Sequence, residues 1–291
     1  MMNKLVKLSV IVWGLVSQAA ILQAQKATET IKKTLPQAKV LLVDNINGSV
    51  EIKGGAVNNK VEVTATKLIT ADTQKDVDRG KREANLVTFL EKDTLVVHIK
   101  TPYTSYGRNR NNRRGFGYKW DDWNKPKDFD YKFDIVVKVP ENTSLIIRTV
   151  NRGDIRITNT KADLRAINVN GSVYLENVQG ATKARTINGQ LKAVYTKTPD
   201  KNSTYYALNG NIRVKYPSNL SADLRFKSFN GDFYTDYDVK YLPNKVTSKT
   251  AKNGKKRIYK VSEFTAVRVK KGGKVFKFET LNGNIYVNQN K

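Results

Sequence analysis

The chain has 291 residues and a formal net charge of +26, from 52 Lys and Arg against 26 Asp and Glu, with one histidine and no cysteine. Lack of cysteine excludes disulfides, thiolate catalysis and lipid attachment at an N-terminal cysteine, and a lone histidine leaves too few ligands for ordinary zinc or copper sites. There is no phosphate-cradling glycine loop and no Gly-x-Ser-x-Gly elbow, so nucleotide and serine-hydrolase chemistry lack their usual carriers.

The first element is a leader. Lys4 and Lys7 precede a mostly apolar run from Leu8 to Leu22, and Leu22-Gln23-Ala24 before Gln25 reads as a cleavage site. The run falls short of the about 20 apolar residues that a spanning helix needs. Residues 1–24 are therefore expected to be a signal peptide, with no transmembrane segment after its removal. Residues 25–291 would then form a single elongated β-repeat domain, exported to the periplasm or outer cell surface of a bacterium.

The N-terminal part is an irregular β region. Val61 to Ala65 and Leu95 to Ile99 alternate as strands do, and Leu86 to Leu90 pairs back across the turn Glu91-Lys92-Asp93. His98 takes an outward position with no second titrating partner nearby in sequence. The charged stretch from Asp72 to Ala84 fits a short helix or a loop. An insertion follows at 101–130, a loop or hairpin holding Arg108, Arg110, Arg113 and Arg114, then Phe116, Tyr118, Trp120 and Trp123. Insertions in a repeat stack emerge at an edge or a face, where function is grafted.

From there one word dominates: an apolar residue, Asn-Gly, then a short alternating strand. The corner pairs are Asn47-Gly48, Asn151-Arg152-Gly153, Asn170-Gly171, Asn188-Gly189, Asn209-Gly210, Asn230-Gly231 and Asn282-Gly283. Glycines 153, 171, 189, 210 and 231 recur at intervals of 18, 18, 21 and 21 residues. Each unit is too small to bury its own apolar face and must stack on its neighbours. The pattern predicts an all-β, single-stranded β-solenoid or β-helix-like stack, with Asn and Gly at corners because both tolerate positive φ. Val50/Ile52, Ile155/Ile157, Val173/Leu175, Ile212/Val214 and Ile285/Val287 should point inward. Asparagines 151, 170, 188, 209 and 230 should come into register as a structural amide ladder. The word Ala-Asp-Leu-Arg occurs at 162–165 and 222–225, read here as different coil positions. A second, lysine-rich insertion at 236–275 ends in a hairpin-like segment from Val267 to Val275.

The words Val137-Lys138-Val139-Pro140-Glu141-Asn142-Thr143-Ser144-Leu145, Thr149-Val150-Asn151-Arg152-Gly153-Asp154-Ile155, Ala184-Arg185-Thr186-Ile187-Asn188-Gly189 and Phe278-Glu279-Thr280-Leu281-Asn282-Gly283-Asn284-Ile285 resemble the bacterial putative-adhesin family of β-strand-repeat domains of unknown function. The resemblance covers most of residues 40–290, with the inserted Arg152 as a departure. It implies an exported, β-solenoid-like protein and carries no catalytic residue across.

Three surfaces compete for function. The residue between each inward pair is Arg156, Tyr174, Lys192, Arg213, Tyr234 and Tyr286 in successive copies, a cationic and aromatic stripe suited to phosphate, carboxylate and sugar rings. The Arg- and Trp-bearing insertion is the second. Carboxylates are the third: Asp154 and Asp232 at equivalent corner positions, and Asp121-Asp122 with Asp128 and Asp130, which a polysaccharide-cleaving solenoid would have to bring together. The preferred reading is a non-catalytic envelope or surface binding protein without cofactor, contacting anionic polysaccharide or lipopolysaccharide. Self-association or pairing with an envelope protein through β edges is the alternative. Nucleic acid is not expected as a partner once the chain is exported.

Overall fold

Each Asn-Gly unit closes one rung made of two strands. The strand that runs into the asparagine lies in one sheet and the strand that leaves the glycine lies in a second. A computed structural model describes residues 24–56, 59–108, 116–120, 127–243, 246–250, 257–261 and 263–290. The leader up to residue 23, Arg110, Arg113, Arg114, Asp121, Asp122, Trp123 and the Trp120 side chain lie outside the described residues.

In the first sheet Val40–Asp44, Ser144–Thr149, Leu164–Asn168, Thr182–Asn188, Ser203–Asn209, Lys274–Asn282 and Ala222–Asn230 follow one another in parallel. In the second, Val50–Gly54, Ile155–Thr158, Val173–Val178, Leu191–Tyr195, Ile212–Pro217, Ile285–Asn290 and Phe233–Thr235 do the same. The chain is thus a parallel, β-solenoid-like stack with both inner faces buried. Alternation does the sorting: Ile155, Ile157, Val173, Leu175, Ile212 and Val214 are all within the core while their neighbours face out.

The rungs do not stack in chain order. The Asn282 rung sits between those of Asn209 and Asn230, so the column reads 47, 151, 170, 188, 209, 282, 230. Spacing alone placed Asn230 on Asn209. Aromatic fit explains the order: Phe278 stacks on Tyr205 and Phe276 on Tyr216, each at 5.0 Å between centroids, which seats the last strands against the Asn209 rung. The Val267 to Val275 segment is likewise not a hairpin. Thr265–Val269 and Lys274–Asn282 both pair with Ala222–Asn230, one antiparallel and one parallel, with that strand between them.

Four polar columns hold the corners. Asn170 donates its amide to Asn151 Oδ1 at 2.7 Å, Asn188 to Asn170 at 2.8 Å, Asn209 to Asn188 at 2.9 Å, Asn282 to Asn209 at 2.7 Å and Asn230 to Asn282 at 2.7 Å. These asparagines are not left-handed. What the column needs is the amide, which can donate to one rung and accept from the next. Inside it, two residues before each asparagine, Thr149, Asn168, Thr186, Thr280 and Ser228 donate to the corner-glycine carbonyl of the adjoining rung. Just past the glycine, Asp154 accepts from Ser172 N–H, Asn211 from Asn284 N–H and Asn284 from Asp232 N–H. At the opposite corner Asn177 donates to Asn159, and both of these are left-handed, with φ of 54° and 57°. Stacking therefore satisfies buried and half-buried backbone groups that a lone rung would leave open.

The N-terminal end is closed by antiparallel strands. Gln25–Pro36, a strand the alternation did not announce, pairs along its whole length with Lys60–Ala71, which pairs with Asp130–Val139. Asn85–Glu91 and Thr94–Lys100 form the expected hairpin and end the first sheet. The charged stretch is helical over Gln74–Glu83, capped by the Thr73 hydroxyl accepting from Asp76 N–H. Ala-Asp-Leu-Arg is a true repeat: Leu164 and Leu224 occupy one inward column through Thr182, Ser203 and Phe276.

Candidate functional site

The outward stripe exists as a continuous column. Register places Arg156 beside Tyr174, Tyr174 beside Lys192, Lys192 beside Arg213, Arg213 beside Tyr286 and Tyr286 beside Tyr234. At about 4.8 Å per rung it runs for about 24 Å. Its members pack on each other: the Arg156 guanidinium lies 4.8 Å over the Tyr174 ring, Arg213 lies 4.8 Å over Tyr286, and Tyr234 stacks on Tyr286 at 5.0 Å. A guanidinium held over a ring loses little further entropy on binding, and in Arg213 one N–H already donates to Gln190 Oε1 at 3.3 Å, which leaves its other donors for an anion. Lys192, exposed between the two Arg–Tyr pairs, makes no ion pair among the described residues.

A second basic face went unnoticed in the sequence. On the outside of the first sheet Arg165, Lys183, Thr204, Lys277 and Arg225 share one column, and Arg185 beside Lys183 lies 4.8 Å over the Tyr206 ring. The signal was present in Thr182-Lys183-Ala184-Arg185-Thr186, where small inward residues alternate with cations.

The first insertion does not stand off the stack. Thr104–Arg108 and Phe116–Trp120 form a hairpin that lies over the outer face of the first sheet. Tyr118 Oη donates to the Asp44 carbonyl at 2.9 Å and accepts from Ile99 N–H at 2.7 Å, and burial pushes its hydroxyl well above the ordinary phenol range. Tyr106 stacks on His98 at 3.9 Å between centroids. Beneath them Arg148 pairs with Asp44 at 2.6 Å and donates to the Phe116 carbonyl at 2.8 Å. Burial raises Asp44 to about 6 against the opposing pull of Arg148, and burial lowers His98. Arg108 pairs with Glu91 at 2.5 Å and lies over Phe116. Tyr118 is thus an anchor of the hairpin, and neither Tyr118 nor Arg108 reaches the outward stripe on the other sheet.

Among the described residues the candidate carboxylates do not converge. Asp154 and Asp232 stand five rungs apart in the post-glycine column, about 24 Å by rung spacing, against the roughly 5–9.5 Å that glycosidase pairs require. Asp128 and Asp130 pair with Arg79 and Arg152. Among the described residues no three His, Asp or Glu side chains gather as a metal site, and no helix is long and apolar enough to cross a membrane.

Residues 132–263 match the family model described as Toastrack DUF4097. That segment of the chain is thus similar to the Toastrack DUF4097 domain. The family is one of unknown function, and the match indicates no catalytic class. Solved structures similar to this chain include a putative cell adhesion protein from Clostridium sporogenes, 9% identical over 92% of this chain and 100% of that one, with a TM-score of 0.43. Others are a putative adhesin from Bacteroides fragilis, 10% identical over 91% and 97% with a TM-score of 0.37, and a putative adhesin from Parabacteroides merdae, 9% identical over 91% and 96% with a TM-score of 0.29. No curated protein matches. The Toastrack match takes in the corners of Asn151 to Asn230, whereas Asn47 and Asn282 lie outside it and still occupy the same column.

Proposed function

We propose that this protein is an exported, non-catalytic envelope or surface binding protein that contacts anionic glycan through the column Arg156, Tyr174, Lys192, Arg213, Tyr286 and Tyr234. The observation that carries the reading is the register of that column, which repeats cation and ring along the stack with the guanidinium groups already laid on their tyrosines. A linear polyanion fits such a repeat: carboxylate or phosphate meets Arg and Lys, and sugar rings lie on Tyr. The net charge of +26 adds a long-range attraction of the same sign.

The test is retention of the protein on immobilised lipopolysaccharide and pectate across a salt series. Retention at low salt should fall steeply as ionic strength rises, and the double variant Lys192→Gln/Arg213→Gln should lose most of it. No retention at low salt, or retention indifferent to the double change, overturns the reading.

One observation favours assembly as a second reading. At the C-terminal end of the stack Phe229 is 75% and Tyr241 81% exposed, beside the three-residue edge strand Phe233–Thr235. Contact between copies or with an envelope protein through this end would persist at high salt.

A further inference from the structure

On the corner opposite the asparagine ladder lies a polar cavity of about 330 Å³, lined by residues of three successive rungs, among them Ser144, Gln179, Lys197, Thr198, Asp200 and Lys201. Chain length makes it. From Ile155 to Leu164 and from Val173 to Thr182 the chain turns in nine residues, whereas Leu191 to Ser203 takes twelve, so the third corner overhangs the first two. This is the step at which the glycine interval changes from 18 to 21.

The lining holds polar groups that the fold leaves unused. Thr198 Oγ1 is buried with no hydrogen-bond partner. Among the described residues the Ser144, Gln179 and Asp200 side chains make no hydrogen bond, and Lys197 makes no ion pair. The other two lysines of the wall are taken, Lys161 by Glu141 and Lys201 by Asp163 at 2.8 Å. What remains is one unpaired cation, a carboxylate that feels the through-space attraction of Lys201, an amide and two hydroxyls, around a space at the small end of the roughly 300–1,000 Å³ of ligand pockets. No aromatic ring and, beyond Ala162, no apolar side chain lines it, which disfavours a nucleobase or an acyl chain.

We infer that this cavity binds a single carboxylated sugar residue, its carboxylate on Lys197 and its hydroxyls on Asp200, Ser144, Gln179 and Thr198. Asp200 decides between anions. It repels a doubly charged phosphate or sulfate more than a singly charged carboxylate, and accepts from a polyol that brings its own hydroxyl donors. Buried Thr198 gains the partner it lacks. The site is separate from the outward column, so a glycan that lies along that face and one whose residue enters this cavity are distinguishable.

The experiment is calorimetric titration of the full chain with trigalacturonate, and with maltotriose as the neutral probe. Saturable binding of trigalacturonate is expected, weakened about tenfold in Lys197→Gln through loss of a charge-assisted bond. Thr198→Val should weaken it less, and Lys192→Gln/Arg213→Gln should weaken it less than Lys197→Gln does. Lys197 is exposed and unpaired, so its replacement does not threaten folding, which a thermal melt verifies. The inference falls if trigalacturonate shows no saturable binding, if maltotriose binds equally well, or if Lys197→Gln binds as the parent does. Loss only in the Lys192/Arg213 variant assigns the carboxylate to the outward column and removes the cavity from the account.

Discussion

At Gly189 an added Cβ would sit 2.3 Å from the Gly171 carbonyl oxygen, and at Gly171 the same distance from that of Gly153, although neither glycine has positive φ. Neighbouring rungs press backbone on backbone at this corner, and the asparagine amides and the Thr186 hydroxyl fix that approach from both sides. Gly189→Ala must therefore push rungs apart and is expected to cost about 2–3 kcal/mol. Gly55 is the control: its φ is +91° but nothing lies within 4 Å of an added Cβ, so Gly55→Ala meets only dihedral strain of about 1 kcal/mol. Urea unfolding of the two variants checks the order, and a larger loss at Gly55 would mean that dihedral preference governs the corners. Thr186→Val tests the inner column and should cost about 1–2 kcal/mol by leaving the Gly171 carbonyl without its side-chain donor.

For the hairpin of Thr104–Arg108 and Phe116–Trp120, docking and ionisation are coupled through Asp44. Its folded carboxyl holds a proton up to about pH 6, against an ordinary value of 3.8. Between those two values the folded state binds more protons than the unfolded one, so this group's contribution to stability falls as pH rises through the window. His98, with its pKa lowered by burial, binds fewer protons folded, so its contribution rises toward pH 6.5 and opposes Asp44. Tyr106 and Tyr118 also face Asp44 and, pushed up by burial, stay protonated throughout this range, while Arg148 is its ion-pair partner. In Asp44→Asn the His98 contribution remains and that of Asp44 is gone. The stability of the variant relative to the parent should thus climb from pH 4 to 6.5, by up to about 3 kcal/mol. A flat difference across urea midpoints at four pH values would show that Asp44 ionises normally. None of this was legible in sequence. The insertion announced its composition, and Tyr118 looked like a ring offered to a ligand, but which strand face lay beneath it depends on Asp44, His98 and Arg148 becoming adjacent only when Val40–Asp44 pairs with both Thr94–Lys100 and Ser144–Thr149.

Across the whole stack, the parts with a local signature were legible and those set by rung order were not. Asn-Gly with alternation gives the corner, the inward face and the outward column Arg156 to Tyr286, because each follows from position within one unit. Which unit sits on which does not, since every unit offers the same amide, glycine and strand to its neighbours. Order is set instead by side chains that differ between copies, above all Phe276 and Phe278 against Tyr216 and Tyr205. The Asn230 rung, earlier in the chain, therefore docks on strands that come more than fifty residues later: Asn230 bonds Asn282, and Phe233 pairs with Ile285. A chain ended at Gly273 should consequently keep the rungs of Asn47 to Asn209, the last of them still held on its Asn188 side, and lose order from Ser218 onward. Hydrogen exchange should then show protection through Ile212–Pro217 with fast exchange across Ala222–Asn230 and Phe233–Thr235. Protection of those two strands in the shortened chain would mean that the Asn230 rung docks directly on Asn209 and that the last strands insert afterwards.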